Sequence, residues 1–420
     1  MNYARWMDLE EFKNKLIPLN KESEIVKSGV PMMYDDKYLY TETSERHNLI
    51  IGSTGSGKTQ STLLPQLRLA IKTGESIVVN DVRGELYSCL KDELERQNYT
   101  VITINFTNPT IGNNYNPLSL AQKLYKDYKD KCVDILENIG YYFFSRNNGN
   151  ADPFWENSAS NFFTGLALYL FEKKENVSLK DVLELSMNLD KENILEKIDN
   201  NSIAYMYLSG TLNAPKETKG SIISVFHQKL NLYVCRENLS SLLSISDFNL
   251  EEITEGNFAL FIINDSRPYI QNLVSLLVQQ VYEAIEYSSK RNKRINIILD
   301  EFEILYPIKN FVTMLTTSRY MNVRFTLTLR SLLELKNNYG VENSELIKLN
   351  VGNIIYLLAN DIETLDEISK MCGMKMENNK LLPLITSEEL KLMDNFEAII
   401  LIPRLLPIRT KLLPDYKINW

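Results

Sequence analysis

The sequence predicts an α/β fold, a mainly parallel, doubly wound sheet interrupted by an inserted all-α domain. Three observations carry this. Short, strongly apolar runs alternate with helical stretches over residues 48–105 and again over 258–402, and strands alternating with helices through short connections make a parallel sheet with crossover helices. From about 120 to 250 the apolar residues recur at helical spacing instead. A glycine-rich turn joins the first of the apolar runs to the first helix.

In chain order, residues 1–45 are mixed and polar, with a short hairpin expected around Tyr34–Tyr40. Asn48-Leu-Ile-Ile51 reads as a buried strand. Thr59 to Ile71 reads as a helix with Leu63, Leu64, Leu67 and Ala70 on one side. Ser76–Asn80 is the second strand, Glu85–Asn98 a helix, and Thr100–Asn105 the third strand. In the helical region, Phe162, Leu166 and Leu170 form one apolar face, Val182, Leu183 and Leu185 belong to another helix, and Ile222, Val225, Phe226, Leu230 and Val234 form a third. Strands return at Phe258–Ile263, Ile295–Leu299, Arg324–Leu329, Ile354–Leu358 and Ala398–Ile402. Helices over about 270–290, 308–320 and 361–372 separate them. The expected division is therefore an N-terminal segment (1–45), an α/β domain (46–119 and 251–420) and an inserted all-α domain (120–250).

Composition bounds the function. The chain has 420 residues, 44% of them hydrophobic, enough for a sizeable core. The formal net charge is −8, so binding of nucleic acid would have to use a local basic patch, such as one lining a ring's channel. Cys89, Cys132, Cys235 and Cys372 are scattered, with no CxxC pair, which argues against a zinc site or a disulfide framework. His47 and His227 are isolated, and His47 is expected to pack at a strand end rather than to bind a ligand. The longest apolar runs, such as the one from Phe258, fall far short of the ~18 residues that span a bilayer. The opening Met-Asn-Tyr-Ala-Arg-Trp does not read as a signal peptide.

The chemistry concentrates at Gly52-Ser53-Thr54-Gly55-Ser56-Gly57-Lys58-Thr59, a full G-x-x-x-x-G-K-[ST] match. Glycines let backbone N–H groups close around a polyphosphate, and the following helix points its positive end at the anion. Lys58 would reach the β- and γ-phosphates, and Thr59 would place its hydroxyl on Mg²⁺. Further on, Arg294-Ile-Asn-Ile-Ile-Leu-Asp300-Glu301 is an apolar strand ending in two carboxylates. Asp300 would hold Mg²⁺ through water, and Glu301 would orient and deprotonate the attacking water, which suits hydrolysis rather than transfer to a substrate hydroxyl.

In these two motifs and their surroundings the chain resembles the coupling proteins of type IV secretion, the TraG/TraD-like P-loop ATPases of conjugation. The resemblance extends over roughly 45–415, beyond the two nucleotide motifs. Val79-Asn-Asp-Val-Arg-Gly-Glu-Leu-Tyr87 is similar to the family's second-strand motif, with Val82 and Arg83 where Pro and Lys are usual. Asp152-Pro-Phe-Trp-Glu156, Thr317-Ser-Arg319, Ser331 to Gly340, Leu382 to Glu389 and Pro407-Ile-Arg409 resemble further family blocks. The resemblance implies a RecA-like nucleotide-binding domain, ATP and Mg²⁺ as ligands, and a homo-hexameric ring at the cytoplasmic mouth of a secretion channel. It implies that relaxase-bound DNA, single-stranded or duplex, is received with a relaxase or relaxosome accessory protein and passed to a membrane channel subunit. Arg319 matches the position of an arginine finger reaching the neighbouring subunit. Arg330 stands where the family usually has a nucleotide-sensing Gln, so it either stabilises phosphate charge or has no role. The family's membrane helices are not found in this sequence, so the chain is expected either to be trimmed or, since it opens on Met1, to dock on a separate membrane subunit. Lys309, Lys336 and Lys348 are candidate pore-loop cations. Three other readings stay open: a FtsK/HerA-like DNA translocase unconnected to secretion, a nucleotide-binding docking receptor that hydrolyses little, and a secretion motor whose substrate is protein rather than DNA.

Overall fold

The structure, a computed structural model, describes residues 3–20, 22–145, 152–189, 197–288 and 293–420. Met1, and residues 289–290 at the end of the helix expected over 270–290, lie outside the described residues. The chain divides into two compact units, one formed by Met1–Ile102, Glu251–Ile263 and Ile285–Trp420, the other by Thr103–Leu250 and Asn264–Ala284.

The strands, in chain order, are β1 (Ile17–Leu19), β2 (Val30–Tyr34), β3 (Leu39–Glu42), β4 (Asn48–Gly52), β5 (Ser76–Val82), β6 (Thr100–Asn105), β7 (Phe258–Asn264), β8 (Ile295–Leu299), β9 (Val323–Leu329), β10 (Asn353–Leu358), β11 (Met374–Glu377), β12 (Lys380–Pro383), β13 (Glu397–Leu401) and β14 (Ile408–Lys411). Nine of them form one sheet in the order β14-β13-β10-β4-β9-β8-β5-β7-β6. The neighbours β10, β4, β9, β8 and β5 run parallel, whereas β13 and β14 close one edge antiparallel. β4, β8 and β9 are buried along their whole length, and this is why they read as continuous apolar runs rather than alternating ones.

Helices seal the sheet through apolar stripes. In Glu85–Arg96, Leu86, Leu90 and Leu94 recur at four-residue spacing, with Glu85 in the first turn and Arg96 in the last, each matched to the helix dipole. Behind the glycine-rich turn, Leu63, Leu64, Leu67, Ala70 and Ile71 pack in one core cluster with Ile50, Ile77, Val79 and Ile298. A smaller sheet, β1-β3-β2, holds the expected hairpin, where Tyr38 N–H and the Tyr40 hydroxyl both donate to the Asp35 carboxylate.

The second unit is helical, with major helices Lys129–Phe144, Phe154–Lys173, Leu179–Met187, Ile203–Leu212 and Lys216–Val234. Ser178 and Asp181 make a capping box at the start of the third of these, and Ser202 caps the fourth. The core is aromatic. Phe226 meets Phe162 edge-on at 5.1 Å and stacks on Phe144 at 5.6 Å, while Phe143 lies 4.6 Å from Tyr233. Each such ring buries roughly 150–250 Å².

Candidate nucleotide site

Strand β4 delivers the chain to the C-terminal end of the parallel strands, and the chain must then turn back on itself into a helix. Gly55 and Gly57 take φ of 82° and 90°, the left-handed region open to glycine. A Cβ on Gly57 would meet the Phe396 ring at 2.8 Å, and one on Gly52 would collide with the Ser56 hydroxyl. A single π-helical turn, Thr59–Leu63, leads into the helix Leu64–Lys72. The Lys58 ammonium is bonded to the Gly52 carbonyl and lies 3.4 Å from that of Ser53. Burial lowers its pKa, and the Asp300, Glu303 and Glu301 carboxylates oppose the shift.

Asp300 and Glu301 follow β8, two strands from β4, with β9 between them. The Asp300 side chain accepts from the Thr328 hydroxyl (2.5 Å), and its carbonyl accepts from the Asn80 amide (2.6 Å). Burial raises the Asp300 pKa, with the Thr328 bond and the Lys58 charge opposing it. Glu301 sits at φ 48°, uncommon for a residue with a side chain. Its N–H donates to Thr328 Oγ1 at 3.0 Å and to Asp300 Oδ1 at 3.1 Å, which holds the backbone of the turn.

Arg330 arrives from the end of β9, in the turn before the helix Leu332–Asn350, whose first turn is capped by Ser331. Its Nη2 donates to Glu301 Oε1 at 2.7 Å. Its backbone N–H donates to Glu303 Oε1 at 3.3 Å, and its Nε lies 3.5 Å from the same oxygen. Burial pushes Glu303 up to about 7, helped by the Glu334 charge and opposed by Arg330 and Lys58. Asp81, whose carboxylate accepts from Leu86 and Tyr87 N–H, is pushed up to about 6 by burial.

The structure thus brings together Gly52–Thr59, Asp300, Glu301 and Arg330. It keeps Arg319 apart from them. In the parallel register Ile51 pairs with Leu329, so the glycine-rich turn and Arg330 share one end of the sheet. Arg319 precedes Val323, the first residue of β9, and stands exposed at the opposite end, donating to the Asn350 carbonyl at 3.3 Å. Two of the lysines expected on pore loops are corrected. Lys348 is buried and bonded to Glu345 and Glu367, and Lys336 is bonded to Glu363, because both belong to one side of the Leu332–Asn350 helix facing the acidic Ile362–Cys372 helix. His47 is fully buried, donating from Nε2 to the Leu315 carbonyl and accepting Phe325 N–H at Nδ1, and burial pushes its pKa down to about 4.

Glu303, Thr328 and Asn80 were not foreseen as parts of this site. Glu303 carried a signal, as a third carboxylate two residues past Glu301 in an apolar context. Thr328 and Asn80 carried none, because their roles depend on which strands are neighbours.

The loop fits a polyphosphate. Gly52 and Gly57 leave no room for a side chain, and the Ser56 hydroxyl is buried with no protein partner. Asp300, a buried carboxylate whose charged form burial disfavours, fits a site completed by a dication. A strand, a glycine-rich turn into a helix, and a carboxylate pair two strands away define the class: a RecA-like P-loop nucleotide-binding fold. Residues 5–380 match the family described as type IV secretory system conjugative DNA transfer, and the chain belongs to that family. Its role is that of a coupling protein, and a chromosomal translocase or a passive docking receptor is not favoured. Among solved structures, the bacterial conjugative coupling protein TrwB in complex with ADP and Mg²⁺ is 15% identical with TM-score 0.73, the match covering 98% of this chain and 94% of that one. TrwB with a non-hydrolysable ATP analogue is 16% identical with TM-score 0.71 over the same shares. VirB4 of Thermoanaerobacter pseudethanolicus is 11% identical with TM-score 0.58, covering 93% of this chain and 97% of that one. No curated protein matches the chain in sequence. Among the described residues, no helix is long and apolar enough to cross a membrane.

Proposed function

We propose that this chain hydrolyses ATP to drive relaxase-bound DNA into a type IV secretion channel, working as a homo-hexameric ring on the cytoplasmic side of the membrane and docked there through a channel subunit. Residues 46–119 and 251–420 act as the motor, and the insert 120–250 faces the relaxase or an accessory protein. The observation that carries the reading is that the Gly52–Thr59 loop and the Asp300–Glu301 turn leave the same end of the parallel sheet, in a chain of the conjugative transfer family.

Lys58 binds the β- and γ-phosphates, and the loop N–H groups hold the rest of the polyphosphate. Mg²⁺, held by Thr59 and through water by Asp300, would neutralise phosphate charge. Glu301 takes the proton from the attacking water. Arg319 serves the site of the adjacent subunit. Its place at the far end of its own sheet supports action in trans over action in cis.

The test is ATPase rate against protein concentration, with and without single-stranded DNA. The expected result is a low rate that climbs with both. A flat, negligible rate in the presence of DNA and of the membrane partner would overturn the motor reading.

A further inference from the structure

The contact between Arg330 and Glu301 poses a chemical problem. A general base must have a free lone pair and its negative charge to take a proton from water. Here a guanidinium donates to Glu301 Oε1 at 2.7 Å, occupying one oxygen and neutralising the group. While the pair holds, Glu301 is the weaker base for it, and proton abstraction from water is favoured with this cation elsewhere.

The surroundings show where it can go. The Arg330 backbone is held by β9 before it, by the Ser331 cap after it, and by the N–H bond to Glu303. Only the side chain is left to swing, and 41% of it is exposed. Ile51 pairs with Leu329 in the parallel register, so the phosphate-binding loop and Arg330 emerge side by side from the same end of adjacent strands. Glu303 is built as a pivot. Its side chain is 3% exposed, and one oxygen faces both the backbone N–H and the Nε of Arg330. Its other oxygen, Oε2, is buried without a partner and can accept from a guanidinium that has rotated.

We propose that Arg330 is a transferable cation, held on Glu301 in the arrangement seen here and drawn off by the γ-phosphate of ATP, with Glu303 as the positioning residue about which it turns. Seating of a nucleoside triphosphate and release of the general base are then one event, and a diphosphate, which lacks the competing anion, leaves Glu301 capped. This rests on the ATPase reading above and adds its internal control.

The experiment is a double-mutant cycle on binding, not turnover. Fluorescent non-hydrolysable ATP analogue and fluorescent ADP, each with Mg²⁺, are titrated into the full chain as wild type, Glu301→Gln, Arg330→Gln and the double variant. Transfer predicts that Glu301→Gln tightens the triphosphate by about tenfold when Arg330 is present and by only about two- to threefold when it is not. ADP affinity should stay within about twofold throughout. If Arg330 remained on Glu301 with ATP bound, it would already cancel that charge. Glu301→Gln would then gain less with Arg330 than without, and equal or reversed gains overturn the proposal. Glu303→Gln should cut the preference for triphosphate over diphosphate by roughly threefold, with Glu303→Asp retaining more of it. An unchanged preference removes Glu303 as the pivot. Failure of the wild type to bind either nucleotide would sink the ATPase reading itself, and the transfer with it.

Discussion

Strand β9 carries an arginine near each end, and the two sites they build differ in one respect. Arg324, near the start, is fully buried, yet its donors are matched: Nε and Nη2 to Asn296 Oδ1 at 3.0 and 2.7 Å, and Nη2 to Ser28 Oγ at 2.8 Å. The nearby Glu75 carboxylate is equally well supplied, by Ser28 N–H, the Ser28 hydroxyl and the Asn296 amide. Arg330, just past the other end, is half-exposed. That end of the sheet carries a buried carboxylate oxygen of Glu303 and a buried hydroxyl of Ser56, both lacking partners. The residue types are the same at both ends. Completed hydrogen bonding makes one end a structural lock, and incomplete hydrogen bonding leaves the other able to bind and change.

The largest effects should separate the two ends cleanly. Lys58→Ala removes the cation that meets the phosphates, and nucleotide affinity should fall at least about a hundredfold while the melting temperature stays close to wild type. Arg324→Ala should do the reverse. It leaves Asn296 and Glu75 buried and under-compensated, at a cost of about 3–5 kcal/mol. Thermal unfolding would report this directly, and a change below about 1 kcal/mol would mean that the network is not the lock described here. Next in size, Glu301→Gln should keep binding ATP but hydrolyse it at least about a hundredfold more slowly. Near-normal turnover in that variant would remove Glu301 as the base. Arg319→Ala should leave nucleotide binding intact and slow hydrolysis only where subunits assemble. Unchanged turnover in a demonstrated hexamer would exclude it as the finger.

Much of the lock-and-site contrast was hidden from the sequence for physical reasons. Seven of the eight anticipated strands are buried along most of their length, so their apolar runs announce them, and the eighth, Thr100–Asn105, is an edge strand legible from its alternating Val101-Ile102-Thr103-Ile104 pattern. The helix Leu332–Asn350 was missed because Gly340, at φ 78° and ψ 165°, kinks it and breaks the apolar period. The edge strand β14 and the β11–β12 hairpin were missed too, since partly exposed antiparallel strands lack continuous apolar runs. At the site, Gly52–Thr59 and Asp300–Glu301 are legible because chemistry fixes their spacing along the chain. The Arg330–Glu301–Glu303 contact is not, because it needs residues about thirty apart to meet where neighbouring parallel strands end together.

The smallest predicted effect also tests the contrast most finely, because it asks whether the functional end is held at a cost in stability. Glu303 is an acid whose pKa is raised from 4.5 to about 7 by burial. A group raised in this way contributes stability fully below its unfolded value, and that contribution is lost as pH rises through the folded value. Glu303 should therefore weaken the fold progressively between about pH 4.5 and pH 7, by an amount on the order of 1–3 kcal/mol. Glu303→Gln does not titrate. Its melting temperature relative to wild type should accordingly be higher at pH 8 than at pH 5. The matched end offers the control, since Arg324, though lowered to about 10 by burial and by Arg294, stays protonated across this range. A stability difference between Glu303→Gln and wild type that did not change with pH would mean that Arg330 compensates Glu303 fully, and the functional end would then be as settled as the structural one.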